Sequence, residues 1–359
     1  MADLDDEWDN FNNDDLSSTD SLNDEWDNFI TNDTNNSDQL FNKIDDTNNI
    51  KTAPTCGKLK ISTKTKIVYL NKMIDLKDIF WKVPIINYIE MKEGILKKQI
   101  KYNFVTKEEI EEVEKILKNE NNVNIDILSQ INNPTGRIKF KDIRKISIGL
   151  DKNDICLKKN KTKSAFYNCF VVILRIFLED KNEFKEIHIK IFNTGKLEIP
   201  GIQNEYVFNK VLDKVIEILQ PLYEERLQYD KSKEETVLIN SNFNCNYFIN
   251  REVLFNTLKY DYNINCNYDP CNYPGILCRK YQYKNHQISF MIFRTGSVLI
   301  VGKCEMNIIE GIYELLKEIF IKEYNKIYVE IPKDDLENSL SKHKKKKRKK
   351  TILITNNIS

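Results

Sequence analysis

Apolar positions recur with regular spacing only from Lys58 onward. Lys60–Asn71 reads as a strand, and Asp75–Lys82 as a short helix ended before Pro84. Thr106-Lys-Glu-Glu109 is a capping box, opening a helix whose apolar positions are Ile110, Val113, Ile116 and Leu117. Residues 122–163 read as irregular, broken by Asn132-Asn-Pro-Thr-Gly136. Phe166–Leu178 is a strongly apolar strand, and the polar link Glu179–Asn182 returns it into a second strand, Phe184–Phe192.

An internal repeat organises the chain from Ile191 onward. Ile191-Phe-Asn-Thr-Gly-Lys-Leu-Glu-Ile-Pro-Gly201 aligns without gaps to Ile292-Phe-Arg-Thr-Gly-Ser-Val-Leu-Ile-Val-Gly302. Helical stripes continue it in both copies: Val207, Val211, Val215 and Ile218 fall on Ile308, Ile312, Leu316 and Ile319. Each unit is strand, Thr-Gly turn, strand, Gly, amphipathic helix, with Gly195 and Gly296 supplying the positive φ of a tight turn. Two such long units predict a pseudo-twofold domain, not a solenoid. In the second copy Ile288, Phe290 and Ile292 lie on one side of their strand, and Ser289, Met291 and Phe293 on the other. Val298 and Ile300 share the first side, and Leu299 and Val301 the second. Both faces are apolar, and the following helix covers one. The other is either a binding surface or buried by the first copy or another helix.

Charge divides the chain further. The formal net charge is +1. Residues 1–50 carry 15 acidic side chains against Lys43 alone, while 342–350, KHKKKKRKK, carries eight Lys and Arg. Residues 1–57, rich in Asp, Asn, Ser and Thr, are expected to be disordered. Within them DEWDNF occurs at Asp6–Phe11 and again at Asp24–Phe29. Aromatics in acidic surroundings suit a docking motif for a protein partner; the alternative is a solvated tail with chance duplication. The basic run is a nuclear localisation signal, a phosphate-binding tail or a solubilising end. No apolar run reaches the ~18 residues of a membrane span, and the acidic start is not a signal peptide. The eight Cys, beside no secretory signal, fit a reduced compartment better than a disulfide scaffold.

Tyr268-Asp-Pro-Cys-Asn-Tyr-Pro-Gly-Ile-Leu-Cys-Arg279 resembles the Y-E-P-x-x-F-P-G-L-I-Y-R segment of the TATA-box-binding protein family, and Met291–Lys303 resembles its L-I-F-x-S-G-K-V-V-L-T-G-A-K segment. Phe170–Ile176 and Lys190–Gly201 match more loosely. The long insertion and the Asn/Lys bias look most like the divergent TBP-like proteins of large DNA viruses. The resemblance implies an α+β saddle of two pseudo-symmetric halves, a curved antiparallel sheet with helices on its convex side. The halves would be 58–230, interrupted by an insertion at about 84–163, and 231–331, with a basic disordered tail at 332–359. It implies minor-groove binding of double-stranded DNA, with aromatic wedges that unstack base steps.

By motif, Phe293 and Tyr273 match one wedge pair and Phe192 a wedge of the other half, its partner falling on Cys169 or the adjacent Phe170. Met291, Leu299 and Val301 match apolar groove contacts. Arg175, Arg279 and Lys196 match phosphate-contacting positions, and Lys190 could reach a phosphate at the groove wall. Asn240 matches the polar residue near the pseudo-dyad, and Thr63 occupies the nearest position in the first half. Lys190, Glu198 and Pro200 depart from the family pattern, and a glutamate facing DNA is unfavourable. The implied function is a transcription initiation factor that recruits RNA polymerase or other initiation factors, in the nucleus or at a cytoplasmic viral replication site, with no cofactor. The alternatives are a protein-interaction module that has lost DNA binding and the substrate-binding part of a nucleic-acid enzyme. Cys266, Cys271, Cys278 and His286 form a cluster too loosely spaced for zinc and read as core or surface thiols. No P-loop or G-x-G-x-x-G occurs, and no enzymatic site is legible.

Overall fold

The computed structural model describes residues 52–133, 135, 140–155 and 168–330. The acidic DEWDNF segments and the Lys342–Lys350 run lie outside the described residues.

Among the described residues eleven antiparallel strands form one sheet: β1 (Lys60–Tyr69), β2 (Gly94–Phe104), β3 (Val123–Asn132), β4 (Phe140–Gly149), β5 (Cys169–Leu178), β6 (Glu183–Phe192), β7 (Lys196–Ile202), β8 (Glu235–Asn244), β9 (Ile276–Tyr283), β10 (His286–Ile292) and β11 (Ser297–Gly302). Their order is β3-β4-β2-β5-β6-β7-β1-β8-β11-β10-β9. The run β5-β6-β7-β1 is mirrored by β8-β11-β10-β9, so β1 and β8 pair at the centre, with Thr63 opposite Asn240. Each half follows its first strand with a short helix, α1 (Leu76–Lys82) or α5 (Arg251–Asn256), capped by Asp75 or Asn250. Each ends in a long helix, α4 (Glu205–Leu219) or α6 (Met306–Lys322).

The repeated turn is the same in both halves. The Gly195 amide donates to Phe192 O and the Gly296 amide to Phe293 O, both at 3.0 Å. Both glycines have φ 79°. A Cβ would stand 2.3 Å from Lys72 O at the first and 2.4 Å from Tyr247 O at the second. Only glycine fits, because each turn is clamped beneath the connection that leaves its own half's first strand: the Leu70 and Cys245 amides donate to the two glycine carbonyls.

The amphipathic stripes of α4 and α6 cover one face of the sheet. Val207, Val211 and Val215 enter a core with Phe80, Phe170, Ile189 and Leu197. Ile308, Ile312, Leu316 and Ile319 enter another with Phe243, Phe290 and Ile300. Ala53 and Cys56 already pack against that second core, and the Gly57 amide donates to Asn244 O at 2.7 Å. Ordered contacts thus begin before Lys58.

The expectation of irregular chain over 122–163 fails. Val123–Asn132 and Phe140–Gly149 are strands β3 and β4. With β2 they add three strands to the outer edge of the first half. Helix α2 (Lys107–Leu117), capped by Thr106 as its sequence predicts, covers them with Ile110, Val113 and Leu117. Arg144 joins the two layers, its Nε donating to buried Asp142 at 2.8 Å and its Nη1 to Glu114 of α2 at 2.9 Å.

Candidate functional site

On the face of the second half opposite α6, Leu277, Met291, Leu299 and Val301 are all half-buried. Register places them in rows. Leu277, Met291, Leu299 and Asn242 stand side by side on β9, β10, β11 and β8, and Ser289, Val301, Asn240 and Thr63 form the next row on β10, β11, β8 and β1. Asn240, Asn242 and Asn244 of β8 are therefore on this face, and their amides are engaged along the sheet. Asn240 Nδ2 donates to Thr63 Oγ1 at 3.1 Å, Asn242 Nδ2 to Ser62 Oγ, and Asn244 Nδ2 to Ser297 Oγ at 3.1 Å. The Asn240–Thr63 contact joins the two positions singled out near the pseudo-dyad.

Tyr273 and Phe293 meet at the end of this face with ring centroids 6.0 Å apart and planes 61° apart, an edge-on pair. Three devices set it. The Asp269 carboxylate accepts from the Cys271 amide at 3.1 Å and from the Asn272 side chain, and its carbonyl accepts from the Tyr273 amide at 2.9 Å. Arg251 of α5 donates to Pro274 O while lying 5.3 Å from the Tyr268 ring. Gly275 leaves the space that the rings occupy: a Cβ there would meet Phe293 Cε1 at 2.9 Å and Tyr273 Cε1 at 3.1 Å. The Tyr273 hydroxyl donates to Met291 Sδ at 3.5 Å. Burial pushes its pKa up, against the opposing pull of the Arg279 guanidinium. Arg279 itself is exposed on the edge strand β9.

The equivalent face of the first half is different. Phe192 is half-buried, opposite Cys169, with Lys196 Nζ 4.8 Å from its ring centroid. Phe170 is not its partner. It points into the core at 0% exposure, edge-on to Phe80 at 6.0 Å, because alternation along β5 assigns Phe170, Val172 and Leu174 to the helix-covered side. The wedge position beside Phe192 therefore holds a small buried thiol, whose pKa burial raises to about 11. Arg175 is not a phosphate contact either. It is 4% exposed, and its guanidinium donates to the carbonyls of Lys92, Tyr88 and Glu90. Three backbone acceptors satisfy the fork that a phosphate would need. Glu198 is buried and accepts from Lys190 Nζ at 2.9 Å, which compensates its charge.

Sequence reasoning missed a strap over this face. Lys97 of β2 lies opposite Ile173, on the side away from the helices. Its Nζ donates to Asp154 at 2.7 and 2.9 Å and to Asp151 at 3.3 Å. Asp151 precedes the short helix α3 (Lys152–Ile155), Asp154 lies within it, and each accepts from the other's amide. The Lys152 amide donates to Glu186 of β6 at 3.2 Å. Burial raises the Glu186 pKa, the Lys152 amide opposing it. Residues 151–155 thus tie Lys97 of β2 to Glu186 of β6, and Lys97 and Ile173 are only 8% and 2% exposed. Asp-x-x-Asp after a strand is the signal that could have shown it. Cys266 and Cys278 are buried and Cys271 is exposed. Among the described residues no group of side chains could hold a metal ion.

Residues 239–320 match the family model described as transcription factor TFIID (or TATA-binding protein, TBP). A "TATA-box-binding protein-like" protein of Acanthamoeba polyphaga mimivirus is 26% identical over 194 residues, 48% of this chain and 52% of the relative. The chain thus spans about half the length of that relative. The solved structure of Methanococcus jannaschii TBP aligns with a TM-score of 0.38 at 12% identity, covering 75% of this chain and 99% of that one. The stretch that matches the TATA-binding protein family model, residues 239–320, is the one that carries the Tyr273–Phe293 pair.

Proposed function

We propose that the chain is a transcription initiation factor that binds A+T-rich duplex DNA in the minor groove, chiefly through the helix-free face of its second half. The observation that carries this reading is the half-buried Tyr273–Phe293 pair, held over Gly275 at the end of a face of Leu, Met and Val whose polar members are neutral amides and hydroxyls. Minor-groove base edges offer a degenerate pattern, so apolar contact and deformability carry recognition there. Ring edges can enter a base step, at a cost of roughly a few kcal/mol offset by the surface that a bent duplex buries. The side chains supplying that contact are Phe293, Tyr273, Met291, Leu299 and Val301. Asn240 would face the groove at the pseudo-dyad, and Arg279 and Lys196 would take flanking phosphates. The role is a binding one, with no reaction assigned. Recruitment of RNA polymerase or other initiation factors falls to the helix-covered side and the acidic DEWDNF segment, in a nucleus or at a viral replication site.

The strap over the first half favours a second reading, in which the fold is a protein-interaction module. A band-shift titration on A+T-rich and G+C-rich duplexes, at low and moderate salt, separates the two. Preferential retention of the A+T-rich duplex at moderate salt is the expected result. Loss of both duplexes in parallel as salt rises would assign the face to proteins.

A further inference from the structure

The segment that carries Tyr273 is closed at its base by one antiparallel bridge. Asn267 and Leu277 exchange both backbone hydrogen bonds, each at 2.8 Å. The next pair outward from the loop is Cys266 and Cys278. It occupies the closer, non-hydrogen-bonded position, where opposed Cα atoms stand about 4.5 Å apart. A disulfide spans about 4.4–6.8 Å between Cα atoms, so this register accepts one with the backbone where it stands. The two side chains share a face as well. Cys278 lies opposite Phe290 of β10, and Cys266 Sγ donates to Phe255 O of α5 at 3.9 Å. Both enter the core of the second half, and their thiols are hydrogen-bonded to each other.

The two sulfurs are unlike. The hydrogen bond from Cys278 holds the Cys266 pKa below the usual thiol value, against burial and with help from Lys259. Burial, with the same hydrogen bond, pushes the Cys278 thiol up. Cys266 is thus the sulfur that ionises, and Cys278 keeps its proton beside it. Cys266 is also the one with residual exposure, 8% against 0%. Between them in the chain lie Asp269, whose carboxylate shapes the turn, then Tyr273 and Gly275. A bond between the sulfurs would close a loop around the aromatic wedge alone.

We propose that Cys266 and Cys278 are a peroxide-sensitive pair that pins the wedge segment. Hydrogen peroxide oxidises the Cys266 thiolate to a sulfenic acid and releases hydroxide. The Cys278 sulfur then attacks the Cys266 sulfur, the S–O bond breaks, and the departing oxygen leaves as water with the Cys278 proton. Two thiols lose two electrons and two protons, and one peroxide becomes two waters. In a reducing compartment such a bond is transient, as a redox signal requires. The effect on binding rests on the DNA-binding reading of the second half. With the bond in register, Tyr273 stays beside Phe293 while its segment loses freedom. The oxidised chain therefore meets the base step with less left to order, and duplex affinity rises about three-fold, mainly through slower dissociation.

The test uses the full chain carrying Cys271→Ser, which removes the exposed thiol within the loop, with and without Cys278→Ser. The peroxide dose is the one that oxidises Cys271 in the wild-type chain. Alkylation in denaturant, before and after dithiothreitol, locates bonds by peptide mass. The expected result is a Cys266–Cys278 disulfide, a melting temperature higher by roughly 5–10 °C, and about three-fold tighter binding of an A+T-rich duplex, all reversed by dithiothreitol. With Cys278→Ser, oxidation should stop at a Cys266 sulfenic acid that dimedone captures, and affinity should not change. Both thiols still free at that dose would overturn the pair. A disulfide with unchanged duplex affinity would overturn the pinning alone. A disulfide in a chain that binds no duplex in either redox state would overturn the DNA reading and the effect on binding together.

Discussion

Gly275→Ala isolates the aromatic pair from the rest of the fold. Gly275 does not occupy the left-handed region that disfavours a side chain, so alanine strains no backbone there. The three atoms nearest the added methyl all belong to the two rings, at 2.9 Å for Phe293 and 3.1 Å for Tyr273, where ordinary contact needs about 3.5–4.0 Å. The rings must give by roughly half an ångström or more. Both are half-buried at the end of the face, so they can tilt outward instead of straining the core. The stability cost should sit at the low end of overpacking, about 1 kcal/mol, a melting shift of roughly 2–4 °C. The edge-on contact is worth about 0.5–1.5 kcal/mol. Losing that preorganisation should weaken DNA binding by about three- to ten-fold and reduce the bend. Thermal unfolding alongside titration of a labelled duplex reads both. Native affinity and bend, with the small melting shift present, would show that ring geometry is not what the duplex meets. A collapse of the melting transition would mean that the glycine serves the fold.

Three other outcomes rest on particular contacts and segments. Glu198→Val removes the carboxylate that holds Lys190 at 2.9 Å; duplex affinity should rise at low salt and its salt slope should steepen by about 0.9, whereas weaker binding would mean that the pair positions Lys190 for DNA. Glu93, whose pKa burial would raise but whose acceptance of the Phe177 amide and proximity to Lys210 and Lys214 hold it down, ties the start of β2 to α4. A depressed carboxylate stabilises above its unfolded pKa and loses that contribution as pH falls through the folded value. Glu93→Gln should therefore cost about 1–2 kcal/mol at pH 7 and progressively less as pH falls below the unfolded carboxylate value, and a cost in thermal unfolding that does not change with pH would refute the linkage. Trp8→Ala with Trp26→Ala should leave duplex binding intact and reduce recovery of transcription proteins in a pull-down; unchanged recovery would sink the docking role of the DEWDNF segments.

The second half is the more legible in sequence because its signals are local. A tight turn demands glycine, so Gly195 and Gly296 mark the repeat, and alternation on β10 and β11 fixes which side Met291, Leu299 and Val301 occupy. The first half hides more. Val123-Asn-Ile-Asp-Ile127 alternates as a half-buried strand should, but Asn, Asp and Lys are abundant enough throughout the chain to blur the period. Phe170 carries an aromatic ring where a wedge is sought, yet β5 is buried on both sides, so composition does not reveal its facing; only pairing with Phe192 and Ile100 does. Arg175 looks like a phosphate ligand because its partners, three backbone carbonyls in the loop before β2, leave no mark in side-chain identity. The strap is invisible for the same reason: Lys97 and Asp154 are 57 residues apart in sequence and meet only through the sheet.

The central claim is that the second half deforms DNA while the first half holds it. End-to-end energy transfer on a doubly labelled A+T-rich duplex, titrated with wild type, Phe293→Ala and Phe192→Ala, tests it most directly. Phe293→Ala is expected to abolish most of the bend and to cost about ten-fold or more in affinity, as loss of an intercalating wedge should. Phe192→Ala should retain the bend and lose no more than about three-fold. Equal losses of bend and affinity from the two substitutions, or a larger loss from Phe192→Ala, would contradict it.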